Sequence, residues 1–155
     1  MKKKIGLVFL FLLLNFGALG LGRFLMGGSP AANDWYQNLA KAPWTPPGYV
    51  FGLAWTSIMI CFSFYMAHLM TTANWRTFLR IYAIQWFLNV LWNPIFFQFH
   101  LIVAALFVIT CLFMVVIWLG FESRKYESAY WNVLLMPYAV WLIIAISLNA
   151  YPVFY

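Results

Sequence analysis

Long apolar runs, separated by short polar or proline-rich stretches, make up most of this chain. A helix needs about 20 predominantly apolar residues to cross a hydrocarbon core. Five runs are long enough: 5–26, 47–70, 80–99, 101–120 and 130–151. None carries the wide polar stripe of a helix lying on a water-soluble domain. The pattern predicts an all-α integral membrane fold, a five-transmembrane-helix bundle forming a single domain over 1–155. Runs three and four are almost continuous, so a tight turn near Phe99 and His100 must separate them. The start, "KKKIGLVFLFLLLNFGALG", also reads as a signal peptide: basic, then apolar, then small. Its apolar run is long for that role. Asn15, Gly17, Ala18, Gly20 and Gly22 suit a retained span packed against neighbours.

The one long connection joins spans one and two, and a long loop in a compact bundle is usually functional. Within it, "NDWYQNLAK" places Asn33 or Asp34 as a cap for a short helix carrying Trp35, Tyr36 and Leu39. An interfacial helix held by its rings and a lid over a pocket are both open readings. In "KAPWTPPGYVFGLAW", Thr45 is a candidate N-cap for span two, with Pro46 and Pro47 in its first turn. Trp44 sits at the boundary, where indoles anchor chains at interfaces. Trp55 lies about two turns inside, too deep for that role.

Polar residues interrupt the third run, "YAIQWFLNVLWNPIFF". Gln85, Asn89 and Asn93 recur every four residues and share one helical stripe, flanked by Trp92 and Phe96. Amides facing lipid are costly, so the stripe must face the bundle. Pro94 cannot donate to the Val90 carbonyl and should kink the helix. The amides could join helices or orient a ligand. In the fifth run Tyr138, Trp141, Ala145 and Leu148 form one face with Asn149 beside it, and Phe51, Trp55, Met59 and Phe62 form a comparable stripe in the second.

Composition narrows the function classes. The chain is 66% hydrophobic and 8% charged, against about 25% charged for soluble domains. The +6 charge is scattered at the ends of apolar runs, which argues against nucleic acid. Lys2, Lys3, Lys4, Arg76, Arg80, Arg124 and Lys125 fall on one side of a five-span threading; only Arg23 and Lys41 fall on the other. Taking the membrane to be a bacterial cell membrane, the positive-inside rule gives a multi-pass protein with a cytoplasmic N-terminus. The C-terminus and the long loop lie outside. Asp34, Glu122 and Glu127, the only acids, are expected in loops, so no intramembrane carboxylate offers a proton relay. Cys61 and Cys111 lie inside apolar runs without metal-ligand spacing. His68 and His100 sit near opposite ends of spans, where a lone His more often caps a turn than binds metal. No P-loop or dinucleotide fingerprint is present. Neither a metal site nor a resident cofactor is expected.

Four ordered segments resemble the TspO/MBR family of tryptophan-rich sensory proteins, which includes the mitochondrial translocator protein (peripheral benzodiazepine receptor). "WYQNLAKAPWTPP" is similar to the family's WYxxLxKPxWxPP, and "FGLAWT" to the segment bearing its second-span tryptophan. "QWFLNVLWNPIFF" resembles QxxxNxxWxPxFF, and "PYAVWLIIAISLN" resembles PYxxWxxxAxxLN. The resemblance implies a five-helix bundle, usually a homodimer, that binds tetrapyrroles such as protoporphyrin IX and benzodiazepine- or isoquinoline-type drugs beneath the first loop, as sensor, scavenger or transporter. It carries the ligand site to Trp35, Trp44, Trp55, Asn89, Trp92, Tyr138, Trp141 and Ala145, and Gln85 joins them as part of the amide stripe. Light-dependent porphyrin degradation, with Trp55 and Trp141 as catalytic residues, is the enzymatic alternative. A small carrier for another solute is a third reading, for which Pro94 is a faint hint. Two features depart from the family. Ala42 separates Lys41 from Pro43, where the family reads Lys-Pro directly. The ending "LNAYPVFY" lacks the basic residue of the eukaryotic sterol motif, itself a weak pattern.

Overall fold

The computed structural model describes residues 2–72, 74–126 and 129–155, without the side chains of Lys2, Lys3 and Ala129. Five long helices account for most of it: α1 (Lys2–Leu25), α3 (Gly48–Leu69), α4 (Trp75–Phe97), α5 (Ile102–Arg124) and α6 (Met136–Phe154). A short α2 (Asp34–Asn38) and a 3-10 turn (Pro30–Ala32) lie in the first loop, and a 3-10 segment (Ala129–Leu134) precedes α6. The long helices close into a ring. α1 packs on α3 and α4, α4 on α5, α5 on α6, and α6 back on α3. The α3–α4 contact across the ring is slight.

Burial is inverted relative to a water-soluble bundle. The interior holds Phe62, Tyr65, Phe78 and Tyr138, while Phe9, Leu13, Phe107 and Met114 project outward at more than 60% exposure. Apolar surface on this scale needs lipid around it. Four helices, α1 (with the turn that follows it), α3, α5 and α6, are long and apolar enough to cross a membrane by length and composition. α4, at 23 residues, has the length but carries Arg76, Arg80, Gln85, Asn89 and Asn93 and is not among the four.

Several boundaries differ from the expected ones. Thr45 does not cap α3: the cap position is Pro47, and no side chain bonds there. Thr45 and Pro46 each precede a proline, which disfavours helical backbone at both. The helix therefore starts only after Pro47, and Thr45 instead closes a turn. Its N–H (2.9 Å) and Oγ1 (2.7 Å) both donate to the Ala42 carbonyl. α5 runs through Glu122, so that acid is helical rather than in a loop, and it pairs with Lys125 at 2.6 Å. Asp34 opens α2, and Glu127 lies outside the described residues. The fifth run splits, because Pro137 belongs in a first helical turn; residues before it form the 3-10 segment. α4 continues through Pro94 to Phe97. The expected sharp turn is present, with His100 at φ 57°.

In α1, Asn15, Phe11 and Ala18 are buried as a packed span requires. A Cβ at Gly22 would come within 2.6 Å of Asn93 Nδ2, so a larger residue there would push the Asn93 amide aside where α1 meets α4. A Cβ at Gly17 or Gly20 would meet nothing within 4 Å, so neither position needs glycine for packing.

Candidate ligand-binding cleft

A cleft opens where α1 and α4 end and α3 begins. Because α3 and α4 barely touch, the gap between them is filled from above by the first loop. Phe51 and Trp55 form the α3 wall, Trp92, Phe96 and Phe97 the α4 wall, and Trp141, Ala145, Leu148 and Asn149 the α6 wall. Phe51 and Trp55, Trp92 and Phe96, and Trp141, Ala145 and Leu148 recur at three- or four-residue spacing, with Phe97 and Asn149 beside them, so each helix offers one face. Tyr36, Leu39, Ala40, Lys41, Ala42 and Thr45 make the roof. The empty space, open mouth included, is about 530 Å³, but only about 50 Å³ admits the centre of a water-sized sphere. The cleft is thus present and closed.

Its walls are held by ring edges and by one polar joint. Phe51 meets Trp141 edge-on at 5.2 Å, and Trp55 meets Tyr138 at 6.1 Å. Trp92 stacks on Phe96 at 5.9 Å. Trp92 Nε1 donates to Asn149 Oδ1 (3.2 Å), and Asn149 Nδ2 donates to the Ala145 carbonyl (2.8 Å), which ties α4 to α6.

The roof is fastened at two places. On the α4 side, Asn33 caps α2 through Oδ1, which accepts from Tyr36 N–H (2.9 Å), while its Nδ2 donates to the Phe97 carbonyl (3.0 Å). Trp35 lies flat on His100 at 4.2 Å and edge-on to Phe96 at 5.5 Å. Tyr36 meets Phe97 at 5.2 Å, and burial pushes its phenol above the ordinary value, so it stays a neutral hydroxyl. Gly27, at φ 81°, turns the chain into this loop. On the α6 side, Trp44 Nε1 donates to Ser147 Oγ (3.1 Å) and the ring meets Tyr151 edge-on at 5.7 Å.

Four of the expected residues, Trp55, Trp92, Trp141 and Ala145, come together on the cleft walls. The other five do not line it. Trp35 and Trp44 fasten the roof from outside, because their rings turn away to His100 and Tyr151. Tyr138 lies one turn below Trp141 with no exposed surface. Gln85 Nε2 donates to its hydroxyl (2.7 Å), joining α4 to α6, and leaves Gln85 Oε1 without a partner. Asn89 is buried and does not line the cleft, and Asn93 turns back to donate to the Asn89 carbonyl (3.1 Å). None of the three amides of the stripe is on the cleft walls.

Sequence reasoning did not assign Tyr36, Lys41, Ala42, Phe97, Leu148 or Asn149 to the site. Leu148 and Asn149 were findable, since they continue the Trp141–Ala145 face by one turn. Lys41 and Ala42 carry no periodic signal, because a loop reaches them. A second groove, with about 170 Å³ of water-sized space, lies at the other end between α5 and α6, beside Ile117, Phe121, Arg124 and Met136.

Comparison with known proteins fits this arrangement. Residues 8–154 match the TspO/MBR family profile. The chain is 33% identical over 120 residues to a tryptophan-rich sensory protein of Cereibacter sphaeroides, covering 76% of this chain and 73% of that one. It is 31% identical over 129 residues to Protein CrtK of Rhodobacter capsulatus (78% and 76%). Identity is again 31% over 129 residues to Tryptophan-rich protein TspO of Chlorobaculum tepidum (78% and 79%). A ring of apolar helices, indoles on a cleft under the first loop, and a match over nearly the whole length lead to one conclusion: the chain is a multi-pass membrane protein belonging to the TspO/MBR family.

Proposed function

We propose that the protein crosses the membrane five times and binds tetrapyrroles of the protoporphyrin IX type, and drug-like aromatic molecules such as isoquinolines and benzodiazepines, in the lidded cleft. It does so as a sensor, scavenger or transporter. The fifth crossing is α4, whose amides and cations face helices or bundle ends. The N-terminus is cytoplasmic, and the lid and C-terminus are outside, in keeping with basic residues at the starts of α1 and α4 and the end of α5. The observation that carries the ligand reading is the cleft itself. Phe51, Trp55, Trp92, Phe96, Phe97 and Trp141 surround one gap beneath a loop. Flat rings suit a flat apolar ligand, and each aromatic contact adds about 0.5–1.5 kcal/mol beyond area.

Ligand sites commonly enclose about 300–1,000 Å³. The space of about 50 Å³ open to a water-sized sphere lies well below that range, because the roof sits down on the walls. Binding a macrocycle requires the roof, with Leu39 and Ala42, to lift. A sensing role accords with the name of the Cereibacter sphaeroides relative.

Protoporphyrin IX titrated into the detergent-solubilised protein should quench tryptophan fluorescence saturably at micromolar ligand. Linear, unsaturable quenching would remove the tetrapyrrole reading. Light scattering on the same preparation tests the expected homodimer. The enzymatic alternative is favoured by the placement of both Trp55 and Trp141 on the walls. Under illumination it requires spectral loss of bound porphyrin that disappears in Trp141→Phe.

A further inference from the structure

The cleft offers a ligand very few polar groups. Asn149 uses its amide on Ala145 and its oxygen on Trp92. Thr45 Oγ1 donates to the Ala42 carbonyl, and Trp92 Nε1 is held by Asn149. The walls also carry the neutral indole N–H groups of Trp55 and Trp141, and the roof adds the Tyr36 hydroxyl and the Lys41 ammonium. Among the described residues lining the cleft, Lys41 alone carries a charge, and no carboxylate lines it. Lys41 is exposed, and its ammonium is loosely held. Nζ lies 3.3 Å from both the Gln37 carbonyl and Gln37 Oε1, and 4.9 Å from the centre of the Tyr36 ring. No acid among the described residues pairs with it. These contacts are long and come from neutral groups, so an anion presented at the mouth would replace them at small cost.

We propose that Lys41 selects ligands bearing a carboxylate: the apolar ring system lies between the indoles, and its acid group emerges at the mouth to pair with the Lys41 ammonium. The inference rests on the reading of the cleft as a tetrapyrrole site and names the residue that recognises the acid edge of such a ligand. A macrocycle with carboxylate arms should be preferred over the same macrocycle with those arms neutralised. The position also assigns an orientation, with the acid edge toward the polar side of the membrane and the opposite edge toward Trp55. The roof then serves two ends, since the segment that excludes water from the rings also carries the charge that recognises the rim.

The test compares protoporphyrin IX with its dimethyl ester, a neutral ligand of the same ring size, by tryptophan quenching in uncharged detergent. Wild type, Lys41→Met and Lys41→Arg are each titrated with both. Wild type should bind the diacid about fivefold more tightly than the ester, the upper range for a solvent-exposed charge pair. Lys41→Met should bind diacid and ester with equal affinity, and Lys41→Arg should keep the preference. A thermal midpoint equal to wild type reports that the Met variant is folded. A diacid preference that survives in Lys41→Met, or no preference in wild type, overturns the role of Lys41 and leaves the cleft reading standing. If neither ligand binds wild type saturably, the tetrapyrrole reading fails and takes this proposal with it.

Discussion

At the end of the bundle where α4 begins, aromatic and amide side chains are locked to one another. Asn132 Oδ1 accepts from Tyr65 O–H (2.8 Å) and lies 2.8 Å from Ser123 Oγ, and Asn132 Nδ2 donates to the Gly120 carbonyl (3.1 Å). A few turns along, Asn15 donates to Ser63 Oγ (2.9 Å) and accepts from Tyr82 O–H (2.8 Å), joining α1, α3 and α4. At the other end the same residue types stand around a gap, and what covers them is a loop held by Asn33, Trp35 and Trp44. Residue chemistry does not separate the two ends. The difference is in what fills the centre of the ring: side chains from the helices at one end, a removable segment at the other. Buried joints such as Asn15 with Ser63 and Tyr82 hold one end; at the other the Trp92–Asn149 joint ties α4 to α6, and the loop above it is the part able to open.

The strongest way to break this contrast is at the locked end. Asn132→Leu removes the acceptor of the Tyr65 hydroxyl, while Ser123 Oγ still donates to the Gly120 carbonyl (2.8 Å). One orphaned group costs about 1–3 kcal/mol, so a loss of about 2 kcal/mol is expected, read as a lower thermal midpoint in detergent. A midpoint equal to wild type would mean that this end is not held by its polar joints.

The matching change at the open end should move binding instead. Trp55→Leu removes one wall of the cleft while α3 keeps its buried Met59 and Phe62. Loss of a ring contact of about 1 kcal/mol predicts roughly fivefold weaker protoporphyrin binding. Asn89→Leu is the internal control. Because Asn89 is buried and does not line the cleft, its replacement should leave affinity unchanged, whereas an equal loss in both variants would show that the ligand reaches past the cleft.

Helix spacing made much of this legible. Phe51 with Trp55, and Trp141 with Ala145 and Leu148, read directly as faces, and these are the faces on the cleft. The cap narrowed to Asn33 or Asp34 because its geometry is local to four residues, and Asn33 is the one that caps. Depth was not legible. Tyr138 and Trp141 share a face, yet one is core and the other wall, and only the position of the roof separates them. The amides illustrate the same limit: a spacing of four says that Gln85, Asn89 and Asn93 leave the lipid, not which neighbour they meet. Gln85 meets Tyr138 on α6, while Asn93 meets Gly22 on α1. Lys41 was hidden because loop residues reach a site by the path of the chain, which no periodicity encodes.

Loosening the roof should change rates more than affinity. Asn33→Ala removes both the α2 cap and the bond to Phe97, at about 1 kcal/mol for a typical cap. A closed roof blocks entry and exit alike, so association and dissociation should both quicken, each by roughly fivefold at most. Stopped-flow quenching with protoporphyrin IX reads both rates. Faster dissociation with unchanged association would instead make Asn33 a ligand-holding residue rather than a fastener.

The smallest effect isolates the joint that separates the two ends. Gln85→Leu leaves the Tyr138 hydroxyl alone, and Tyr138→Phe leaves the Gln85 amide alone, so each single change should destabilise. The double change removes both polar partners and should cost less than their sum. Coupling energies between buried polar pairs in membrane bundles average about 0.6 kcal/mol, and a value near this is expected from thermal unfolding of the four proteins. Porphyrin affinity should be the same in all of them, because Tyr138 lies below Trp141 with no surface of its own. If Tyr138→Phe weakened binding as much as Trp55→Leu, the floor of the cleft would lie at Tyr138 and Gln85 would become part of the site. Additive stabilities with unchanged binding would show instead that the bond between them is incidental to both ends.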